Sequence, residues 1–342
     1  MLEDDDQRGL AHFVEHMAFN GTRNFRKQEL VDYIEGLGMR FGAHLNASTS
    51  FDETIYQLQV PTDSASPLER GLQILEDWAH GVAFDPEEVE KERGVVVEEW
   101  RLGLGAEMRM LDEQLPVLLQ GSRYAQRLPI GDRVTLETAP REALLRYYRD
   151  WYRPDLMAVI AVGDFDPDRV EALIREKFGR IPAPASPRPR PVFTVPGHAE
   201  PLVAIASDRE ATSSRVAIYE KEPATAETTV GAYRQRFLDA IDDGILNLRL
   251  YERSQQADPP FIGAGAGRGS FVRTVDIEYL GAAVADGGIL TGLEAVLTEA
   301  ARVRQHGYTA GELDRGRQEY LRGLERAYDE RERTPSSVFA DE

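Results

Sequence analysis

The sequence predicts an α+β protein with an α/β sandwich-like architecture, in which two consecutive domains each pack a mixed, largely antiparallel sheet against helices. Both halves of the chain mix segments of helical apolar periodicity with segments of strand-like alternation. Residues 181–197 include six prolines, which predicts an extended, semi-rigid linker between a domain at 1–180 and a domain at 198–342. With 342 residues and 42% hydrophobic content, the chain can bury a sizeable core.

Helices dominate the first predicted domain. The predicted helices share an apolar period of three to four residues, and in chain order they cover 11–19, 26–38, 67–82, a segment that begins at Asp85, 141–152 and 166–179. Asn20-Gly21 stops the first of them. Asp85 can cap the fourth helix, because Pro86 fits the first helical position and Glu88 completes a capping box.

Strands are predicted where β-branched and aromatic residues alternate with polar ones. In the first domain they cover 40–50, 53–61 and a buried strand at 156–165. In the second domain they cover 201–208, 213–220 and 272–280, joined by a long helix at 233–256 and followed by two further helices. A phosphate-binding loop would have Lys-Ser/Thr after its glycines, and the segment GAGAGRG at 263–269 does not. This segment is interpreted as flexible backbone.

Composition argues against several classes of function. The chain has 40 Lys+Arg and 59 Asp+Glu, so its net charge of −19 makes nucleic acid and anionic membranes poor partners. No uninterrupted apolar run is long enough to span a membrane. Because the chain has no cysteine, disulfides and thiolate metal ligands are excluded, and any metal must be held by histidine and carboxylate side chains.

The stretch GLAHFVEHMAFNGT at 9–22 places His12, Glu15 and His16 within five residues. On a helix, residues four apart share one face, so the two imidazoles can point at one ion. Glu15 borders the same face and is well placed to take a proton from a metal-bound water. The alternative is an ordinary helix with partly buried histidines and a solvated glutamate.

A third ligand is expected on the helix that follows Asp85, in the segment EVEKERGVVVEEWR at 88–101. Glu92 and Glu99 are two turns apart and share one face, whereas Glu98 lies about 100° away. A metal would be a partner for a carboxylate buried on this helix. In the alternative interpretation the helix lies on the surface and its acids pair with neighbouring cations, namely Lys91, Arg93 and Arg101.

Four blocks of sequence occur in the order and context that a known family of peptidases shows: GLAHFVEHMAFNGT, GAHLNASTSFDET, VEKERGVVVEEW and YRPDLMAVIAVGDFD. Together they resemble the inverzincin zinc peptidases of the insulinase/pitrilysin family, whose signature is H-x-x-E-H. The resemblance is strong over the first segment and looser over the second. It is closest to the N-terminal half of the long bacterial members.

The resemblance implies one Zn²⁺ per chain, with His12 and His16 as ligands and Glu15 as the general base. Glu99 matches the distal ligand, and Glu92 matches a supporting acid that orients a ligand. The gap between His16 and Glu99 holds 82 residues, which is longer than in the best-known members, so the local context decides the choice of distal ligand.

In this family the strand HLNAST lies at a sheet edge and pairs with the substrate backbone, which makes Asn46 and Ala47 the matching substrate-binding positions. An exposed edge presents free N–H and C=O groups to which an extended peptide can add as a strand. The expected partners are therefore a peptide or unfolded protein substrate and a C-terminal peptidase half, from the same parent chain or a separate subunit. An ordinary half-buried strand end is the alternative.

The predicted function is that of a zinc-dependent endopeptidase, with this chain as its N-terminal catalytic half. The alternative is a non-catalytic, peptidase-like structural or partner subunit, but such subunits typically lose the motif residues that are intact here. If the chain were instead an unrelated acidic binding module, the resemblance of all four blocks to the family would have to be accidental.

The same resemblance leads us to expect a fragment that lacks its first strands, is truncated at its C-terminal end and has little activity alone. The opening MLEDDDQRGL is no signal peptide, whereas the resemblance implies a periplasmic full-length parent.

Overall fold

A computed structural model describes residues 1–341, apart from the side chain of Gln28. Its helices are α1 (Leu10–Ala18), α2 (Lys27–Gly36), α3 (Ala65–His80), α4 (Pro86–Gly103), α5 (Ala106–Leu118), α6 (Arg133–Thr138), α7 (Arg141–Trp151), α8 (Pro167–Phe178), α9 (Val230–Ser254), α10 (Ile289–His306), α11 (Ala310–Glu330) and α12 (Ser336–Asp341). Its strands are β1 (Leu45–Thr49), β2 (Thr54–Leu58), β3 (Ser214–Pro223), β4 (Gly263–Val272) and β5 (Val275–Val284). Antiparallel sheets packed with helices confirm the predicted α+β class.

The described residues form two compact units. The first contains Met1–Met108, Leu115–Phe193 and residues 335–341, and the second contains Arg109–Gln114 and Thr194–Thr334. Residues 181–197 contain neither helix nor strand. The predicted division into domains 1–180 and 198–342 stays a prediction, because a contact pattern does not test whether each part folds alone, and Glu342 lies outside the described residues.

In the first unit, α1 is the central buried helix. It packs against α4, α7 and β1, and β1 forms an antiparallel hairpin with β2, from Leu45↔Leu58 to Thr49↔Thr54. The core around α1 consists of buried side chains from several helices: Leu10, Ala11, Phe13, Val14, Met17, Phe84, Val89, Val96, Leu136, Ala139, Ala143, Leu144, Tyr147 and Trp151. Because its apolar faces are fixed on three sides, α1 holds its remaining side chains in defined positions.

The segment before α1 anchors the start of that helix. The buried carboxylate of Glu3 accepts hydrogen bonds from the backbone N–H groups of Gly9 (3.0 Å) and Ala11 (2.9 Å). These donors belong to the first turn, which has no acceptors of its own within the helix. Gly9 has φ 92°, and a Cβ there would lie 2.7 Å from the Cα of Gly131, so the close approach requires glycine.

Three acidic residues of the opening run pair with arginines that lie far away in the sequence. The pairs are Asp4 with Arg188, Asp5 with Arg127, and Asp6 with Arg146. This run therefore attaches the segment before α1 to the rest of the first unit. The guanidinium of Arg188 also lies 5.1 Å from the centre of the Trp151 ring. The backbone carbonyl of Arg188 accepts a hydrogen bond from the side chain of Arg153.

The predicted strand at 156–165 is wrong. The segment contains no strand, and residues 158–165 make no backbone–backbone hydrogen bond within the described chain. Ile160 is 70% exposed, whereas the prediction placed it in a core. The alternation of apolar residues is typical of a strand. None of the described strands, however, runs beside this segment to provide the backbone hydrogen bonds of a sheet.

The predicted strand at 201–208 is wrong for the same reason. Residues 201–207 make no backbone–backbone hydrogen bond within the described chain, and Val203 and Ile205 are 75% and 89% exposed. The helices α5 and α6 were not predicted. The predicted strand at 272–280 is divided by a turn at 273–274 between β4 and β5.

In the second unit, a three-stranded antiparallel sheet has the order β3-β5-β4 and packs against α9 and α10. The interpretation of GAGAGRG as flexible backbone is wrong, because these residues form most of β4, paired from Gly263↔Ala283 onward. The amide of Asn247 on α9 donates to the carbonyl of Ala266 (2.8 Å) and accepts from its N–H (2.9 Å). The edge of this strand is thus hydrogen-bonded by a side chain.

No helix among the described residues combines the length and the apolar content that crossing a membrane requires.

Candidate metal centre

The two motif histidines converge on α1. His12 and His16 are one turn apart, their ring planes are nearly perpendicular at 88°, and their Nε2 atoms lie 3.2 Å from each other. Their side chains are only 12% and 19% exposed. The packing of α1 against α4 and β1 therefore fixes two nitrogen donors toward one point.

Helix α4 supplies the carboxylates. Asp85 caps it by accepting from the N–H groups of Glu87 and Glu88, and Pro86 occupies its first position. The buried residues Val89 and Val96 lie seven apart and turn one stripe of the helix toward the core that surrounds α1. Glu92 and Glu99 follow these two valines by three positions and so lie on the same side of the helix.

The acidic residues of α4 have two different environments. Three glutamates pair with cations on the same helix, as the surface alternative expects: Glu88 with Lys91, Glu90 with Arg93, and Glu98 with Arg101. Glu99 instead points to the histidines. Its Oε2 lies 3.2 Å from the Nε2 of His16 and 3.7 Å from the Nε2 of His12.

The donor set of His12, His16 and Glu99 could hold a metal ion, and its ligand atoms all lie within 4.8 Å of one another. A tetrahedral zinc with metal–nitrogen distances of about 2.0–2.1 Å separates neighbouring ligand atoms by about 3.3–3.4 Å. The separations of 3.2, 3.2 and 3.7 Å are close to that value. Two imidazoles and one carboxylate also match the chemistry of catalytic zinc sites, which keep a fourth position open.

Glu92 lies behind the metal-facing side of His16. Its Oε1 is 2.8 Å from the Nδ1 of His16, so a proton on Nδ1 leaves the Nε2 lone pair free for a metal. Burial acts to lower the pKa of His16, but the hydrogen bond and charge of Glu92, with Glu99, outweigh it and raise that pKa. Burial acts to raise the pKa of Glu92, but the hydrogen bond and charge of His16 act against burial, and that pKa is lowered.

His12 has a different environment from His16. Burial, with the nearby charge of His16, lowers the pKa of His12 to about 4. Its Nδ1 is buried and has no hydrogen-bond partner within the described residues. A neutral imidazole is the form that can bind a metal, and burial favours this form of His12.

Glu15 lies beside the donor set and is 7% exposed. Thr49, at the end of β1, donates its hydroxyl to the Oε2 of Glu15 at 2.6 Å. Burial raises the pKa of Glu15, and the bond from Thr49 opposes that shift. A carboxylate whose pKa is raised toward neutrality is suited to accept a proton and to return it.

The strand β1 brings Asn46 and Ala47 to the same region. Gln59 donates to the carbonyl of His44 and Ser50 donates to the carbonyl of Glu53, so the even-numbered residues of β1 bond to β2. The backbone N–H and C=O of Ala47 therefore face the opposite edge of the hairpin, whereas those of Asn46 face β2. The side chain of Asn46 is exposed.

Sequence reasoning missed the side chains behind Glu15. Thr49 and Thr54 lie within the second family-like block, GAHLNASTSFDET, and neither was assigned to the site. The signal available in the sequence was weak. Thr49 lies two residues after Ala47 and so shares its face of the strand, but only the packing of β1 on α1 brings its hydroxyl to Glu15.

Two family models match successive parts of the chain. The family described as "Insulinase (Peptidase family M16)" matches residues 1–117, and the family described as "Peptidase M16 inactive domain" matches residues 138–320. Among curated relatives, a "Zinc protease PQQL-like" of Arabidopsis thaliana is 35% identical over all of this chain and 33% of its own length. A "Probable zinc protease PqqL" of Escherichia coli is 32% identical over 96% of this chain and 35% of its own length.

Among solved structures, the periplasmic protease PqqL from Escherichia coli superposes with a TM-score of 0.86 at 30% identity, covering 99% of this chain and 37% of that one. Pitrilysin superposes with a TM-score of 0.66 at 18% identity, covering 92% of this chain and 33% of that one, a likeness of fold alone. The chain thus spans about a third of the length of the curated relatives it matches.

Proposed function

Because the chain belongs to the insulinase family of peptidases, peptidase family M16, we propose that it is the zinc-binding catalytic half of a metalloendopeptidase. The convergence of His12, His16 and Glu99 beside Glu15 supports this proposal most directly. Each of these side chains is contributed by a helix of the first unit.

We assign His12, His16 and Glu99 as the ligands of one zinc ion, with Glu92 orienting His16. When bound, zinc supplies a Lewis acid that makes water acidic near neutral pH and polarises a carbonyl group. Glu98 is not part of this proposal, because it is paired with Arg101 on the solvent side of α4.

Glu15 is the proposed general base. Its Oε2 accepts from Thr49, which leaves Oε1 to take the proton of the attacking water. The same carboxyl then returns the proton to the amine that leaves when the peptide bond breaks.

An extended peptide or an unfolded protein segment is the proposed substrate. The edge of β1 that carries the backbone groups of Ala47 is the place where such a segment would add as a strand. Asn46, next to it, is the proposed side-chain contact. This edge is linked to the base through Thr49, two residues farther along the same strand.

The activity of the whole enzyme is proposed to need more chain than these 342 residues, since the relatives are about three times as long. The missing part would be a C-terminal peptidase half, from the same parent or a separate subunit. A periplasmic location is proposed from the relative that is described as periplasmic. The alternative of a non-catalytic subunit is disfavoured by the joint presence of His12, Glu15 and His16.

Zinc analysis by atomic emission is the first test. The purified chain should hold one zinc ion, and a variant with both His12→Ala and His16→Ala should hold none. A quenched fluorescent peptide, assayed with and without the rest of the parent protein, measures hydrolysis. Zinc content that is equal in both proteins would refute the assignment, as would cleavage that persists after chelation.

A further inference from the structure

A chain of hydroxyl groups lies directly behind Glu15. Thr49 Oγ1 is 2.6 Å from the Oε2 of Glu15 and 3.2 Å from the Oγ1 of Thr54. Thr49 and Thr54 face each other across the hairpin β1–β2, at the pair Thr49↔Thr54. Their two hydroxyls therefore form a short path that ends on Glu15.

We propose, on the basis of the function proposed above, that Thr49 is a positioning residue that fixes the general base Glu15. The hydroxyl of Thr49 holds one carboxylate oxygen and leaves the other free for the water. Among the described residues, the side chain of Thr49 hydrogen-bonds to Glu15 and Thr54 and to none of the proposed metal ligands, so it acts through Glu15.

The direction of every bond in this path follows from the carboxylate at its end. An ionised carboxylate only accepts, and each hydroxyl has one proton to donate. Thr49 donates its one proton to Glu15 and so must accept from Thr54 in the 3.2 Å contact between their hydroxyls. Both bonds therefore run toward Glu15, and the donor Thr49 is polarised by Thr54 behind it.

The packing around Thr49 restricts its hydroxyl to this role. Thr49 lies on the face of β1 that it shares with Leu45, which is 1% exposed, and β1 packs on α1. A β-branched side chain in a strand has few χ1 rotamers, so the donor is held in place at little entropic cost. A general base needs this kind of fixation, because a displacement of about 1 Å can reduce a rate about 100-fold.

The test compares Thr49→Val, which keeps the shape and removes the donor, with Thr49→Ser, which keeps the donor. Ser48→Ala is the matched control, since Ser48 is the neighbouring hydroxyl residue and points away from α1. In the chain combined with the rest of its parent, Thr49→Val should lower kcat about 10- to 100-fold with little change in KM or zinc content. Thr49→Ser should restore most of the loss, and Ser48→Ala should behave as wild type.

A second readout does not depend on activity. The infrared carboxylate stretch of Glu15 in the zinc-loaded chain is the band that Glu15→Gln removes. It should shift in Thr49→Val and return in Thr49→Ser. An unshifted band in Thr49→Val, or a kcat equal to that of Ser48→Ala, would overturn the role of Thr49. If Glu15→Gln itself cleaves normally, the proposed function fails instead, so the two failures are distinguishable.

Discussion

Replacing Glu92 with glutamine removes a charge from behind the proposed metal ligand His16 and keeps the size of the side chain. The Glu92 Oε1 lies 2.8 Å from the His16 Nδ1, and the two side chains are 12% and 19% exposed, so solvent screens their interaction little. Loss of a partner that orients a metal ligand typically lowers metal affinity about 10- to 100-fold. We therefore expect zinc binding to weaken by about 1.4 to 2.8 kcal/mol.

The effect of Glu92→Gln should depend on pH in a defined direction. Glu92 helps to raise the pKa of His16, so in the wild type a proton competes with zinc for this residue as the pH falls. In the variant the pKa of His16 is lower and the competition is weaker. The ratio of the variant's dissociation constant to that of the wild type should be largest above the pKa of His16 and should shrink below it.

Competition with a chromophoric chelator at about pH 8 and about pH 6, on either side of the ordinary histidine pKa, measures this ratio. Glu90→Gln is the control, because Glu90 lies on the same helix and pairs with Arg93 rather than with a proposed metal ligand. Circular dichroism reports whether each variant is folded. A Glu92→Gln chain that binds zinc as tightly as Glu90→Gln would refute the reasoning, and so would a ratio that grows with acidity.

Three further variants test other parts of the structure. Glu99→Gln should lose zinc in a chelator competition and Glu98→Gln should not; the reverse result would mean that the assigned register on α4 is wrong by one residue. Glu15→Gln should retain zinc by atomic emission but lower peptide hydrolysis by the assembled enzyme about 10²- to 10⁴-fold. Asp4→Asn should lower the free energy of unfolding in urea by up to about 1 kcal/mol near neutral pH. Arg188 lowers the pKa of Asp4 below its usual 3.8. The difference in unfolding free energy between the wild type and Asp4→Asn should therefore be fully present above pH 3.8. It should vanish as the pH falls through the lowered pKa.

The helices that carry the candidate site could be predicted because their signals are local. The spacing of His12, Glu15 and His16 predicts a shared face on α1, and a cap at Asp85 with proline at the next position predicts the start of α4. The choice of Glu99 over its neighbour needed more than periodicity. In the structure, an ion pair with Arg101 turns Glu98 toward solvent, which supports the proposal of Glu99.

The strands were predicted less well because a strand depends on its neighbours. Residues 156–165 have the alternation of a strand, but the described chain offers them no partner, and they remain outside any sheet. The opposite error occurred at GAGAGRG, where glycine suggested flexible backbone. Pairing with β5 and the amide of Asn247 overrides the weak strand propensity of these residues.

The hydroxyl path behind Glu15 could not be predicted from one sequence. Thr49 lies 34 positions after Glu15 in the chain. Threonine is also common in ordinary strands. Only the packing of the β1–β2 hairpin on α1 brings these hydroxyls to Glu15.

The unpaired segment at 158–162 affects how this chain should behave in solution. Its amide hydrogens have no backbone acceptor within the described chain, so hydrogen–deuterium exchange should label them fast, while the amides of the buried α1 stay protected. An apolar, β-branched run with free backbone groups is also a template for intermolecular pairing between copies. A charge placed at Ile160, as in Ile160→Lys, should oppose this pairing between copies. In light scattering, the variant should stay monodisperse up to a higher protein concentration than the wild type does.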